Sequence, residues 1–278
     1  MKFWDQKIQK SIWKNKKLFR RSSMNLKVSL RFLFTISFIF SGGAYGQEPL
    51  DFSLKNKQKN IFVDEALLTE TGLGRHRRKP LQFRFKKTTT IQTSGTTIYD
   101  GVFYDLEGKL LHQEVDRTFS GKLQEMQIQQ YQTEQSAKVT VKGNQVTFEK
   151  TKNGKTKTDS ETFKGDLLVA GMVGPYISQN WQRLVEKKEV LKVRFAVWDR
   201  METVGFSIRW IKESKKADQE LSVFEMKPSS YFIQLLVNPI RLAYEKDGNH
   251  DPVWIEGRTA VKRKERGKWR DLNGRFEY

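Results

Sequence analysis

"KVTVKGNQVTFEK", residues 138–150, decides the fold class. Val139, Val141, Val146 and Phe148 keep one register on either side of Gly143 and Asn144, with lysine, threonine and glutamine at the positions between them. Side chains of a strand alternate between two faces, so this pattern gives two short strands, each apolar on one side, and the Gly-Asn step supplies the tight turn that joins them.

The same grammar extends in both directions. "LQFRF" alternates Leu81, Phe83 and Phe85 with Gln82 and Arg84, "VFYDLEGKLLHQEV" turns near Glu107 and Gly108, and a further turn is signalled by Asn153 and Gly154. Residues 81–163 therefore read as an antiparallel meander with one dry face and one wet face. Between 174 and 188 the period changes. Pro175 suits a first helical turn, and Ile177, Trp181, Leu184 and Lys188 follow at spacings of four, three and four, which predicts an amphipathic helix with Trp181 central in its apolar stripe. A second short helix is expected over 229–237, stopped by Asn238 and Pro239. Strands then resume: Leu191, Val193, Phe195 and Val197, next Val204, Phe206, Ile208 and Trp210, and so on to Phe276 and Tyr278. The expected fold is mainly β, a curved antiparallel sheet, half-barrel or open barrel, packed on one or two short helices.

Upstream of this domain the composition differs. Lys27 and Arg31 precede an apolar block from Phe32 to Phe40, then Gly42 and Gly43, then Ala44, Tyr45 and Gly46. The uncharged stretch is shorter than the roughly twenty residues a spanning helix needs. It reads as a secretory signal over 24–46, cleaved between Gly46 and Gln47, with an uncleaved anchor as the alternative. Residues 1–23, basic and upstream of Met24, read as a mis-assigned extension. Residues 47–80 read as a polar, flexible arm, and 81–278 as a single β-rich domain.

Charge and chemistry narrow the function. Ten of the 51 Lys and Arg residues and one of the 32 acids precede Gln47, so the formal charge of +19 falls to +10 for the exported chain. A surplus of that size favours anionic surfaces without defining a site. Arg75, Arg77, Arg78 and Lys79 form the densest basic cluster and are candidates for polyanion contact. Nucleic acid is excluded as the usual partner by export and by the mixing of acids into the basic strands. The chain has no cysteine, which removes thiol catalysis and disulfides, and His76, His112 and His250 lack metal-ligand spacing, so no metal or other cofactor is expected. Asp199 and Glu202 in "WDRMETVGF" are the weak catalytic candidates, since glycoside hydrolysis uses paired carboxylates. His250 with Asp251 is a second acid–base candidate, but "DGNHDP" reads as a turn composition first. Trp181, Phe195, Phe206, Trp210 and Phe224 are the candidates to line an apolar ligand site on the concave sheet.

"GPYISQNWQRLVEKKEVLKVRFAVWDRMETVGFSI" (174–208), "VNPIRLAYEKDG" (237–248) and "WIEGRTAVKRKERGKWRDLNGRFEY" (254–278) carry a resemblance. With Asn180 and Trp181 in the helix, an F-x-V element at 195–197, E-T-x-G-F at 202–206, Pro239 with Ile240, and Glu256 with Gly257, the last hundred residues resemble a family of uncharacterised exported bacterial β-rich proteins. That likeness implies export and names no activity. In architecture the whole more loosely resembles the half-barrels of the lipoprotein-localisation factors, which shield a lipid on a concave apolar face. The expectation is a noncatalytic protein of the cell envelope, periplasmic or secreted, binding a lipid-like ligand. The alternative is an envelope polysaccharide hydrolase acting through Asp199 and Glu202.

Overall fold

The computed structural model describes residues 59–71, 80–217, 219–230 and 238–278. The signal segment, the 1–23 extension, the cleavage point, the cluster Arg75, Arg77, Arg78 and Lys79, and most of the helix expected over 229–237 lie outside the described residues.

Fifteen strands form one sheet. In chain order they are β1 (Lys59–Glu70), β2 (Gln82–Gln92), β3 (Thr96–Tyr104), β4 (Leu110–Phe119), β5 (Lys122–Gln130), β6 (Gln135–Lys142), β7 (Gln145–Lys152), β8 (Lys155–Thr162), β9 (Leu167–Leu168), β10 (Leu191–Val197), β11 (Glu202–Lys216), β12 (Gln219–Pro228), β13 (Ile240–Glu245), β14 (Pro252–Glu265) and β15 (Lys268–Glu277). Strands β1 to β8 make one meander and β9 to β15 another, joined where β1 pairs with β15, so the spatial order runs from β8 at one edge to β9 at the other. Every pairing is antiparallel except that of β9 with β10.

The turns follow the chemistry read from the sequence. Asn153 and Gly154 have φ of 51° and 70°, the doubly left-handed geometry of a two-residue hairpin that Asn-Gly adopts readily. At 105–109 the Asp105 carboxylate accepts hydrogen bonds from the backbone N–H of Glu107 and Lys109, at 3.0 and 2.8 Å.

The edge strands show that the sheet rolls. Laid flat, fifteen strands at about 4.8 Å spacing would hold β8 and β9 roughly 65 Å apart. Yet only residues 163–166 connect these two strands. Four residues reach less than about 20 Å, so the sheet must curl until its edges meet. Among the described residues no backbone ladder seals the seam; side chains do. The Thr203 N–H of β11 donates to the Glu161 carboxylate of β8, and Lys150 Nζ donates to the Asp199 carbonyl at 2.7 Å.

Across the roll, β14 bulges at 259–261 against the single residue Leu272 of β15. The backbone groups this frees are met by side chains from the far meander: Gln130 Nε2 donates to the Ala260 carbonyl, and Gln132 both donates to the Lys262 carbonyl and accepts from its N–H, each at 2.8 Å.

The main core fills the space between the meanders. Val139, Val146 and Phe148 from β6 and β7 pack in one cluster with Ile208, Phe224 and Leu242 from β11 to β13. Between them sit Leu168, Val169, Ile177 and Leu184 from β9 and the helical segment, all essentially inaccessible. Of the apolar stripe anticipated in the sequence, Ile177 and Leu184 therefore cover the concave face.

Three expectations need correction. The helix over 174–188 is not continuous: a 3-10 turn (Ala170–Met172) leads into α1 (Val173–Gln179), which breaks at Asn180 and resumes as a π-helical turn (Gln182–Glu186). Asn180 Nδ2 donates to the Tyr176 carbonyl at 2.9 Å, competing with the helical ladder, and the wider turn rotates Trp181 to a half-buried position while Ile177 and Leu184 stay enclosed. Lys188 is exposed and lays its ammonium 3.3 Å from the Trp210 ring centroid. Secondly, 59–70 is not part of a free arm but strand β1, paired along its length with β2 and at its end with β15. Its apolar residues Ile61, Phe62 and Leu67 are exposed while Ala66 and Leu68 are buried, so no clean alternation marks it. Thirdly, the dry-and-wet rule fails in β4, where Val115 is buried on one face and His112 and Asp116 on the other.

Candidate functional site

The polar residues of β4 open the site. His112, Glu114 and Asp116 stand at alternate positions and so project from one face of the strand, the face turned into the roll. They help line a cavity of about 220 Å³. Phe85 and Lys87 of β2 and Tyr99 and Phe103 of β3 extend this wall, while Met226 of β12, Leu242 and Tyr244 of β13, Ile255 of β14 and Phe276 of β15 form apolar walls. The 3-10 turn and α1 contribute Gly171, Val173 and Gly174.

Closure of the cavity depends on Gly171. A Cβ at this position would lie 2.6 Å from Asp116 Oδ2 and 2.7 Å from Tyr99 Cβ, closer than real contacts allow. Only glycine lets the turn settle directly on β3 and β4, and its N–H then donates to Asp116 Oδ2 at 3.2 Å.

Asp116 is 1% exposed, and its Oδ1 has no hydrogen-bond partner. Burial, reinforced by the neighbouring Glu114 carboxyl, pushes its pKa well above the ordinary carboxylate range. The imidazole of His112 is fully enclosed and neither ring nitrogen is hydrogen-bonded; Nε2 lies 3.9 Å from Glu114 Oε2, and the ring meets Phe103 edge-on at 5.8 Å. Desolvation lowers the Lys87 pKa against the opposing pull of Asp64 and Asp116. Tyr99, 5.2 Å from the Lys87 ammonium, has its phenol pKa raised by burial and by Asp116. The site is thus a largely apolar chamber with a polar wall along β4, to which Asp64 of β1 and Arg258 of β14 add further charge. It can hold an amphipathic guest; among the described residues no His, Asp and Glu groups converge as metal ligands.

Of the five aromatic residues singled out from sequence, Phe195 lines the cavity. Phe206 packs on it at 5.7 Å, Phe224 is sealed in the core, Trp181 stacks on His250, and Trp210 sits beneath Lys188. Asp199 and Glu202 occupy the end of the β10–β11 hairpin, outside the cavity lining, each paired with a different arginine: Asp199 with Arg258 at 3.5 Å and Glu202 with Arg200 at 2.5 Å. His250 is committed to Trp181 and, through Nδ1, to the Glu245 carbonyl at 3.2 Å.

Sequence reasoning passed over His112, Glu114 and Asp116 as a group. The signal was present as H-x-E-x-D within a strand-length unit, three titratable groups on one face. What it lacked was any mark that this face is the buried one.

No protein-family model matches the chain, and no curated protein matches it. Among solved structures it is similar to the crystal structure of a β-barrel-like protein of domain of unknown function DUF1849 from Brucella abortus, at 9% identity and a TM-score of 0.47, over 77% of this chain and 94% of that one.

Proposed function

We propose that this is a noncatalytic exported protein of the cell envelope that holds an apolar or lipid-like ligand inside its rolled sheet. The observation that carries the reading is the cavity between the meanders, walled by Phe85, Phe103, Leu242, Ile255 and Phe276. Such walls gain about 25 cal/mol for each Å² of apolar surface removed from water and ask no bond-breaking chemistry of the protein. At about 220 Å³ the cavity falls just below the roughly 300–1,000 Å³ typical of drug-sized pockets, which favours one slim chain over a whole two-chain lipid. The leader-like segment before Gln47 supports a periplasmic or secreted location. The residual positive charge supports encounter with an anionic envelope surface.

Native mass spectrometry of the protein extracted from its own envelope tests this reading, together with calorimetric titration by octanol and octanoate. A co-purifying lipid mass, or saturable binding of either probe, is expected. A bare protein mass together with no probe binding would overturn it.

A further inference from the structure

Two fully enclosed polar side chains of β4 face the cavity with unmet hydrogen-bonding capacity. His112 has two unpartnered ring nitrogens, and Asp116 has an Oδ1 that no donor reaches, although its carboxyl lies within hydrogen-bond reach of the Glu114 carboxyl. Buried polar atoms are normally satisfied, and exceptions in a cavity wall mark where a guest makes its bonds. The two residues are four positions apart on one strand, so their backbones stand roughly 13 Å apart at 3.3–3.4 Å per residue. A guest that meets both groups carries polar atoms at two points along one edge. Its other edge faces Leu242, Tyr244 and Ile255 on the apolar walls.

The lining carries both signs, so a guest of either charge meets a like charge in it as well as an opposite one. An anionic head placed along β4 meets the carboxyls of Glu114 and Asp116, and a cationic one meets the Lys87 ammonium, which senses Asp116 directly. Either charge would leave water for a wall that sets its own sign beside the opposite one, which returns less than the hydration it gives up. A hydroxyl avoids this conflict, because it donates to an imidazole nitrogen or a carboxyl oxygen and accepts from an N–H or O–H without adding charge.

We propose that the cavity selects an uncharged, hydroxylated lipid-like ligand whose hydroxyls engage His112 and Asp116 at two separated points. The inference rests on the reading of the cavity as an apolar binding site. It adds the class of ligand and the residues that choose it.

The test is calorimetric titration of the purified protein with four probes of one chain length: octanediol with a hydroxyl at each end, octanol, octanoate and octylamine. The diol should bind best, with octanol weaker and the two ions at least about tenfold weaker than the diol, as expected for a lost or mismatched buried hydrogen bond. His112→Phe and Asp116→Leu should each bring the diol down to the level of octanol. Should either variant fail to fold, the wild-type ranking decides alone. Octanoate or octylamine binding as tightly as the diol would overturn the hydroxyl assignment and leave the apolar cavity standing. Failure of all four to bind would overturn this inference, and together with a bare native mass the cavity reading as well.

Discussion

The indole of Trp181 lies flat on the imidazole of His250, ring centroids 3.6 Å apart and planes 7° from parallel, while its edge meets Phe224 at 5.3 Å. The stack ties the π-helical turn to the loop after β13, where His250 adopts a left-handed φ of 56°. Because Trp181 is only half-buried, Trp181→Ala should cost about 2–3 kcal/mol, less than the roughly 3–5 kcal/mol of a fully enclosed ring. His250→Ala should cost about 1 kcal/mol, and the double variant less than the sum, since both lose one stacking contact. Urea unfolding of the three variants reads this directly; strict additivity would show that the stack contributes nothing.

Glu70 at the end of β1 and Arg263 in β14 form an ion pair that is almost entirely shielded, their side chains 7% and 12% exposed. The second carboxylate oxygen of Glu70 accepts the Leu81 N–H at 3.1 Å. Glu70→Ala leaves a guanidinium buried without its partner and should cost about 3–5 kcal/mol. Adding Arg263→Met should restore a large part of that loss. A single variant as stable as the wild type in chemical denaturation would contradict the pairing.

Asp116 makes stability depend on pH in a direction opposite to that of an ordinary salt-bridged carboxylate. Its folded pKa is raised by burial and by Glu114, with the Gly171 N–H and Lys87 opposing, so the folded state binds this proton more tightly than the unfolded chain. The stabilisation is complete below the unfolded value of about 4 and is lost as pH rises from there through the folded pKa, at up to about 1.4 kcal/mol per pH unit. Asp116→Asn keeps an oxygen for the Gly171 N–H and has no proton to lose. Across a denaturation series from pH 4 upward the variant should therefore gain on the wild type as pH rises. Parallel curves would mean that folding does not raise the Asp116 pKa.

Arg75, Arg77, Arg78 and Lys79 should supply most of the attraction to an anionic surface if the protein works at the envelope. Each basic residue near such a surface contributes about 1 kcal/mol, within a Debye length of roughly 10 Å at 0.1 M salt. Neutralising all four should weaken co-sedimentation with anionic vesicles strongly at low salt and hardly at all at high salt. Binding that survives both the substitutions and high salt would assign the contact to apolar groups instead.

Local sequence patterns determine much of this protein by themselves. The alternation of Val139, Val141, Val146 and Phe148, the turn at Gly143 and Asn144, and the change to helical spacing at Ile177 depend on residues a few positions apart, and the strands, the turn and the helix all form there. The same alternation puts Phe195 in a strand, but nothing in it separates Phe195, which reaches the cavity, from Trp181, Phe206, Trp210 and Phe224, which do not line it. Strand β1 is not legible in this way, because its exposed Ile61 and Phe62 blur the period and its place is set by partners on both sides. The roll of the sheet and the polar wall are decided only in three dimensions. Gln132 grips Lys262 from 130 positions away, Glu70 reaches Arg263 across 193, and Gly171 closes on Asp116 from 55. A strand states which of its side chains share a face, but whether that face meets water or a cavity depends on distant segments that no local period encodes.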